Sequence, residues 1–254
     1  MKIAVLIKQV PGSESALPLN DAQSWIEESS VTFVMNPPDN FALEEALLIK
    51  EEANKGEVVV ISMGPTRVQK VIREGLAKGA DRGIHIEEET EIEKDSLSIA
   101  KQFASVLKEE NFDLILTGLQ SDDTGMGQTG VLIGELLGFS TATLAIETKL
   151  KADQIKIKRE LESGWFQWVT MPLPASISIQ SGLNTPRYPS LKGIMGAKKK
   201  ELKIVPYEPS SEQSQIIDNI FIPQNSKETE IIDTDVDQTV ERVYEILKSE
   251  IKVL

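Results

Sequence analysis

The chain has 254 residues, enough for one large domain or a domain with a long tail, and its 40% apolar content allows a proper core. A formal charge of −13 argues against nucleic acid or an anionic membrane surface as the main partner. With no cysteine and one histidine, His85, disulfides, thiolate metal sites and cysteine nucleophiles are excluded, and a histidine triad or multi-histidine metal centre has little to work with.

No apolar run is long enough to span a bilayer, and the opening MKIAVLIK reads directly as a strand. The expectation is a cytoplasmic, prokaryotic protein without membrane insertion. Residues 3–7 form a buried strand, left through residues 8–12, and the polar stretch 12–30 predicts a surface excursion. Residues 31–35 are extended and lead to Asn36-Pro37-Pro38-Asp39-Asn40. There two prolines argue against regular structure, and Asp39 or Asn40 can cap a helix over 41–53. Gly56 separates that helix from a strand at 58–62. Met63-Gly64-Pro65 turns, Thr66 can cap a helix through Val68, Val71, Ile72 and Leu76, and Gly79 ends it. Residues 83–86 make another strand, in which His85 reads as structural. The acidic run 87–93 reads as a solvated loop, and Asp95 caps a helix with Ile99, Phe103, Val106 and Leu107 on its apolar side.

The pattern centres on residues 113–138. Leu114-Ile115-Leu116 has the character of a buried strand, and Gly118, Gly125, Gly127 and Gly130 crowd the loop after it. Val131, Ile133, Leu136 and Leu137 then give a helical pattern closed by Gly138. A strand, a glycine-rich loop and a helix N-terminus together suit an anion, because free backbone N–H groups and the helix dipole converge there. Glycines that only make turns would read the same way. The repeating order predicts an α/β fold: a parallel twisted sheet with helices on both faces, its ligand beyond the carboxyl ends of the strands. The loops at that edge are residues 8–12, 63–65 and 118–130, with 36–40 able to fold over them. The first strand lacks G-x-G-x-x-G, and G-x-x-x-x-G-K-S/T is absent, so neither a dehydrogenase nor a P-loop fingerprint is present.

Beyond Gly138, residues 155–161 alternate, Glu162-Ser163-Gly164 turns and 165–171 returns, which predicts an antiparallel hairpin. Residues 175–180 rejoin the sheet. The stretch 181–202, with Lys198-Lys199-Lys200, reads as long and irregular, and such stretches are functional or disordered. Residues 205–235 predict an extended arm anchored by Phe221 and Ile222. Val236, Val240, Val243, Leu247, Ile251 and Leu254 follow with the spacing of an amphipathic helix that docks on a partner subunit or packs back on its own domain.

The segments IKQVP, MNPPDNFALEEAL, SMGPTRV, LAKGADRGIHI, GLQSDDTGMGQTG, KRELESG and LNTPRYPSLKGIMGAKKK occur in that order over nearly the whole chain. In them the sequence resembles the beta (small) subunit of electron-transfer flavoprotein. The resemblance implies a nucleotide-binding α/β domain over 1–204, with a recognition loop at 183–200, and an arm at 205–254 that docks on an alpha subunit. It implies a heterodimer whose alpha subunit holds most of the FAD site. The pair would take electrons from flavin-containing dehydrogenases and relay them to a downstream acceptor. The chain itself would be an electron-carrier subunit rather than an enzyme, with structural AMP as its own ligand. The AMP positions carried over by motif are Leu6, Asn36, Pro37, Pro38, Asp39, Met63, Gly118, Gln120, Ser121, Asp122, Asp123, Thr124, Gly125, Met126, Gly127, Gln128 and Thr129. Backbone groups near Leu6 and Met63 would meet the adenine, and the N–H groups of Gly127, Gln128 and Thr129, with the Thr129 hydroxyl, the phosphate. At least one of Asp122 and Asp123 would face a ribose hydroxyl or a backbone N–H.

Within the family, an electron-bifurcating branch holds a second FAD in place of AMP and resembles itself in having valine and Gly-Pro after the loop glutamine. Gln128-Thr129-Gly130-Val131 looks like the AMP branch, and the second FAD stands as the alternative. A nucleotide-processing enzyme of the same fold is a further alternative, for which His85 and the uncharged Gly127-Gln128-Thr129 supply neither base nor metal cluster. Leu191 matches the leucine that enters an apolar pocket of a partner dehydrogenase, with Arg187, Tyr188, Ile194 and Met195 around it as partner-binding residues. Gly196 stands where some members carry a lysine, so modification at that position is not expected. Glu160 matches a glutamate on the flavin side that pairs with an alpha-subunit arginine, an exposed hairpin charge being its plain reading.

Overall fold

In the computed structural model, residues 1–21, 23–89, 94–208, 214–223 and 229–253 are described. The apolar runs Ile3-Ala4-Val5-Leu6, Val58-Val59-Val60-Ile61 and Leu114-Ile115-Leu116 bury side chains in both directions, as strands covered on both faces must. They belong to β1 (Lys2–Leu6), β4 (Glu57–Gly64) and β6 (Leu114–Gly118). Between them lie a short antiparallel pair, β2 (Gln9–Pro11) and β3 (Phe33–Met35), then α1 (Pro37–Ala53), α2 (Gln69–Lys78), β5 (Arg82–Glu87) and α3 (Ser96–Glu110). After β6 come α4 (Thr129–Leu137), β7 (Ser140–Lys151), β8 (Gln154–Glu160), β9 (Phe166–Pro172), β10 (Ala175–Ile179), α5 (Leu191–Ala197) and β11 (Leu202–Pro206).

The main sheet has nine strands in the order β11-β5-β4-β1-β6-β10-β7-β8-β9. It is parallel from β11 to β7 and antiparallel across β7, β8 and β9. On one face Val5, Val60, Leu116 and Ile177 pack with Leu43, Leu47, Ile72 and Leu76 of α1 and α2. On the other, Leu6, Ile61, Ile84 and Ile115 pack with Phe103, Leu107 and Ile133 of α3 and α4. The expected α/β architecture is therefore present, with an antiparallel extension at one edge. Among the described residues no helix is long and apolar enough to cross a membrane.

Several local expectations are corrected. The first helix begins at Pro37, not residue 41, with both prolines in its first turn. A helix's first N–H groups have no intrahelical acceptor, so proline loses nothing there and its fixed φ suits the turn. Asn36 is the N-cap residue without a capping side-chain bond, and Asp39 is turned to other work. Thr66 does not cap α2; it starts a 3-10 turn, Thr66–Val68, and gives its N–H and hydroxyl to Glu89 at 2.7 Å each. Asp95 and Gly138 do cap α3 and α4 as expected, Asp95 by accepting the Ser98 N–H at 2.7 Å and Gly138 at φ 68°.

The stretch 181–202 is not irregular throughout, because Ser190 caps α5 by accepting the Gly193 N–H at 3.0 Å. The arm does not leave the first unit at residue 205. β11 adds to the sheet edge through Pro206, and the Ser214 and Gln215 N–H groups donate to the Asp95 carboxylate. The two compact units are accordingly Met1–Ile220 and Phe221–Leu254. In the second, Asp235 caps α6 (Val236–Glu245), a π turn at Ile246–Glu250 follows, and Arg242 pairs with Glu230 and Glu250. Leu254 and residues 90–93, parts of the expected helix and acidic loop, lie outside the described residues.

At the amino ends of the strands Glu110 accepts from Lys2 Nζ at 2.8 Å and Arg82 Nη2 at 2.7 Å. Desolvation pushes its carboxyl up, but these bonds and the two charges overcome it and hold the group at about 2. Its stabilising contribution is complete above the ordinary value of 4.5 and is lost as pH falls toward about 2. Glu110→Gln should therefore cost roughly 1–3 kcal/mol at neutral pH. In urea titrations the gap to wild type should narrow below pH 4; a gap constant from pH 7 to 3 would refute this.

Candidate functional site at the carboxyl edge of the sheet

Asp39 sits in the first turn of α1 and is buried. Its Oδ2 accepts the Lys8 N–H at 2.7 Å and its Oδ1 the Gly118 N–H at 3.1 Å, so one carboxylate joins the chain leaving β1, the start of α1 and the end of β6. Burial pushes this carboxyl up to about 7, against the pull of bonds from Lys8, Asn36 and Gly118 and of the Lys8 charge. Gly118 is required by the contact, since a Cβ there would lie 2.8 Å from Pro38 Cβ.

Asn36 completes the closure. Its N–H donates to the Lys8 carbonyl at 2.9 Å, its Nδ2 to the Gln120 carbonyl at 3.0 Å, and its Oδ1 accepts the Asp122 N–H at 3.0 Å. The segment Asn36-Pro37-Pro38-Asp39 thus folds over the loop after β6. Lys8 Nζ reaches Asp123 at 2.7 Å and Ser121 Oγ at 3.5 Å. Desolvation raises the Asp123 carboxyl, but the Lys8 charge and hydrogen bonds from Lys8, Ser121 and Thr124 hold it below the usual range. The Asp122 carboxylate makes no side-chain bond among the described residues.

Gly125 and Gly127 carry φ of 62° and 63°, the left-handed conformation that brings the loop to the start of α4. Gln128 is the N-cap residue and its side chain makes no cap bond, so the first N–H groups of α4 have no acceptor among the described residues. α4 lies hard on the sheet: a Cβ on Gly130 would be 2.6 Å from Thr117 Oγ1, and Ser176 Oγ donates to the Gly130 carbonyl at 2.9 Å. Beneath it, the hydroxyls of Thr117 and Ser178, neighbours in register, are buried without a partner. Met63 and Gly64 end β4, just past the Ile61 that pairs with Leu6. His85 is wholly buried below them, with Nε2 donating to the Gly64 carbonyl at 2.8 Å and Nδ1 left to accept from Gln69 at 3.3 Å.

The structure brings Leu6, Asn36 to Asp39, Met63 and the loop from Gly118 to Thr129 to one edge. Met126 is exposed on that loop and Thr124 turns inward to Ser121 at 3.1 Å. Glu160 lies elsewhere, at the end of β8, accepting from Gln180 Nε2 at 2.9 Å. It borders a largely apolar hollow with Leu144, Leu161 and Trp165. Arg187, Tyr188, Leu191, Ile194 and Met195 form a third place, against α1 and α2. Lys8, Thr117 and Ser178 are site residues that the sequence did not single out. Lys8 could have been found as the charge opposite two loop aspartates, whereas the hydroxyls carry no sequence signal. Chemically, the edge offers hydrogen-bond donors to an anion and an acceptor, Asp122, to a hydroxyl.

A family model described as the electron transfer flavoprotein domain matches residues 23–210. The electron transfer flavoprotein subunit beta of Bradyrhizobium diazoefficiens is 40% identical over 202 residues, 80% of each chain. That of Dictyostelium discoideum is 39% identical over 204 residues, again 80% of each. That of Thermoanaerobacterium thermosaccharolyticum is 32% identical over 253 residues, 99% of this chain and 94% of its own. With the fold and these matches together, the chain belongs to the electron transfer flavoprotein family, as a beta subunit.

Proposed function

We propose that this chain pairs with an alpha subunit, binds AMP as a structural ligand at the carboxyl edge, and docks flavin-containing dehydrogenases whose electrons pass to a downstream acceptor. The observation that carries the AMP reading is the start of α4, where unsatisfied N–H groups adjoin two buried, unpartnered hydroxyls. A phosphate fits there, held by Gly127, Gln128 and Thr129. Backbone at Leu6 and Met63 is assigned to the base, and the Asp122 carboxylate, without a side-chain bond among the described residues, suits a ribose hydroxyl, while Asp123 is committed to Lys8. The FAD, which supplies the redox chemistry when bound, is assigned mainly to the alpha subunit. Glu160 and the hollow with Leu144 and Trp165 are this chain's contribution to its surroundings. None of these residues is asked to perform catalysis.

Docking is assigned to the loop before and along α5. Tyr188, Leu191 and Met195 are 94%, 83% and 74% exposed, with Ile194 beside them, an apolar group at one place. The second compact unit is assigned to the alpha subunit, because Val236, Val240 and Val243 leave one side of α6 apolar and exposed.

Co-purified with its alpha subunit and denatured, the complex should release about one FAD and one AMP per heterodimer by HPLC. Two FAD without AMP would replace this reading by that of an electron-bifurcating subunit. Leu191→Ala should raise KM about 30-fold for a purified flavin dehydrogenase that reduces the wild-type complex, with FAD content kept; an unchanged KM would defeat the docking role. Removing residues 221–254, which spares β11, should lower recovery of the heterodimer in size-exclusion chromatography. Full assembly of the truncated chain would show that this unit serves another purpose.

A further inference from the structure

We propose that Arg187 is a positioning residue, which clamps the docking loop to α1 so that Leu191 is presented in a fixed place. The inference rests on the docking role of Leu191 proposed above. The Arg187 N–H and Nε donate to Glu44 Oε2 at 3.0 and 2.9 Å, and Nη2 donates to Glu44 Oε1 at 2.9 Å. Nη1 and Nη2 also reach Glu51 at 2.6 and 3.1 Å. Glu44 and Glu51 lie two turns apart on one side of α1, and the planar guanidinium fork bridges both. Its donors and its charge are therefore already met within this chain, and little is left for a partner's carboxylate.

The same helix holds the loop a second time. Asn184 Nδ2 donates to the Phe41 carbonyl at 3.0 Å and to Glu45 Oε2 at 3.1 Å. Glu45 in turn accepts from Thr148 of β7. Downstream, Arg73 Nη1 takes the carbonyls of Ala197 and Lys200 at 2.7 and 2.8 Å, and Lys200 Nζ donates to the Leu76 carbonyl at 3.0 Å. Gly193 meets the Ala77 carbonyl so closely that no side chain fits. Between these anchors the exposed large apolar side chains are Tyr188, Leu191, Ile194 and Met195. A loop ordered in advance spares the partner the entropy of ordering it on binding.

The test uses the complete complex with the same flavin dehydrogenase as for Leu191→Ala. Arg187→Ala should raise KM about tenfold, with kcat, FAD and AMP content unchanged. Arg187→Lys, which cannot bridge both carboxylates, should fall between, and Glu51→Gln, an exposed change that leaves Glu44 paired, should raise KM about twofold to threefold. In the Leu191→Ala background, Arg187→Ala should add almost nothing, because both act through one anchor. Additive effects would mean that Arg187 touches the partner itself, and an unchanged KM in the Arg187 and Glu51 variants would mean that the clamp is irrelevant to docking. Either result overturns the inference while leaving Leu191 in place. If Leu191→Ala itself has no effect, the docking reading fails, and this inference with it. Should Arg187→Ala not fold, Arg187→Lys and Glu51→Gln decide the matter.

Discussion

A carboxylate can be buried only where enough donors meet it, and Asp39 imposes that condition on the whole carboxyl edge. Its two oxygens take N–H groups from Lys8 and Gly118, and these sit at the ends of two neighbouring central strands. The first turn of α1 must then lie directly over the sheet edge, which sets Pro37 and Pro38 at the helix start and excludes a side chain at position 118. Asn36 and Lys8 extend the closure to Gln120, Asp122 and Asp123. With that half of the loop pinned, its glycine half is free to deliver the chain to α4 with donors outward. The proposed anion site thus follows from a buried carboxyl that lies on the other side of the loop.

α1 also reaches the third place on the surface. Its first turn closes the proposed nucleotide cradle, and its Phe41 carbonyl, Glu44, Glu45 and Glu51 hold the segment from Asn184 to Arg187. One helix therefore fixes the geometry of both proposed sites. On the proposed reading this suits a carrier subunit: the ligand within the chain is structural, the redox group belongs mostly to another subunit, and what this chain must supply is a stable frame.

The sequence made the central strands readable because each is a short apolar run, and the caps at Asp95 and Gly138 readable because each depends on one residue. It misleads at Pro37 and Pro38, since proline breaks a helix interior but suits a helix start. β7, 12 residues long, went unread because its alternation breaks. Leu144 has φ 58° and the register to both neighbouring strands shifts nearby, so its apolar residues follow no single period. At the site, the glycine loop and its neighbours could be nominated from strand order. The Lys8–Asp123 pair spans 115 residues, and the unpartnered state of Thr117 and Ser178 arises only when α4 is laid on the sheet. α5 was hidden because a short helix between proline-rich and lysine-rich segments has too few residues for a period to show.

An exposed leucine also sets a requirement on what surrounds it. Burying a leucine side chain yields about 1.5–3 kcal/mol, so a loose loop would turn Leu191 inward onto its own domain. Keeping it 83% exposed needs local bonds worth at least as much that the inward turn would break. Hydrogen bonds to charged groups contribute about 1.5–3 kcal/mol each, and Arg187 with Glu44 and Glu51 supplies several at once. Glu44 is buried, so breaking the clamp would also strand a charge beside Glu45, whose carboxyl burial already raises. On the proposed reading, Glu44 and Glu45, buried acids that do nothing for an apolar core, make it costlier to hide Leu191 than to show it.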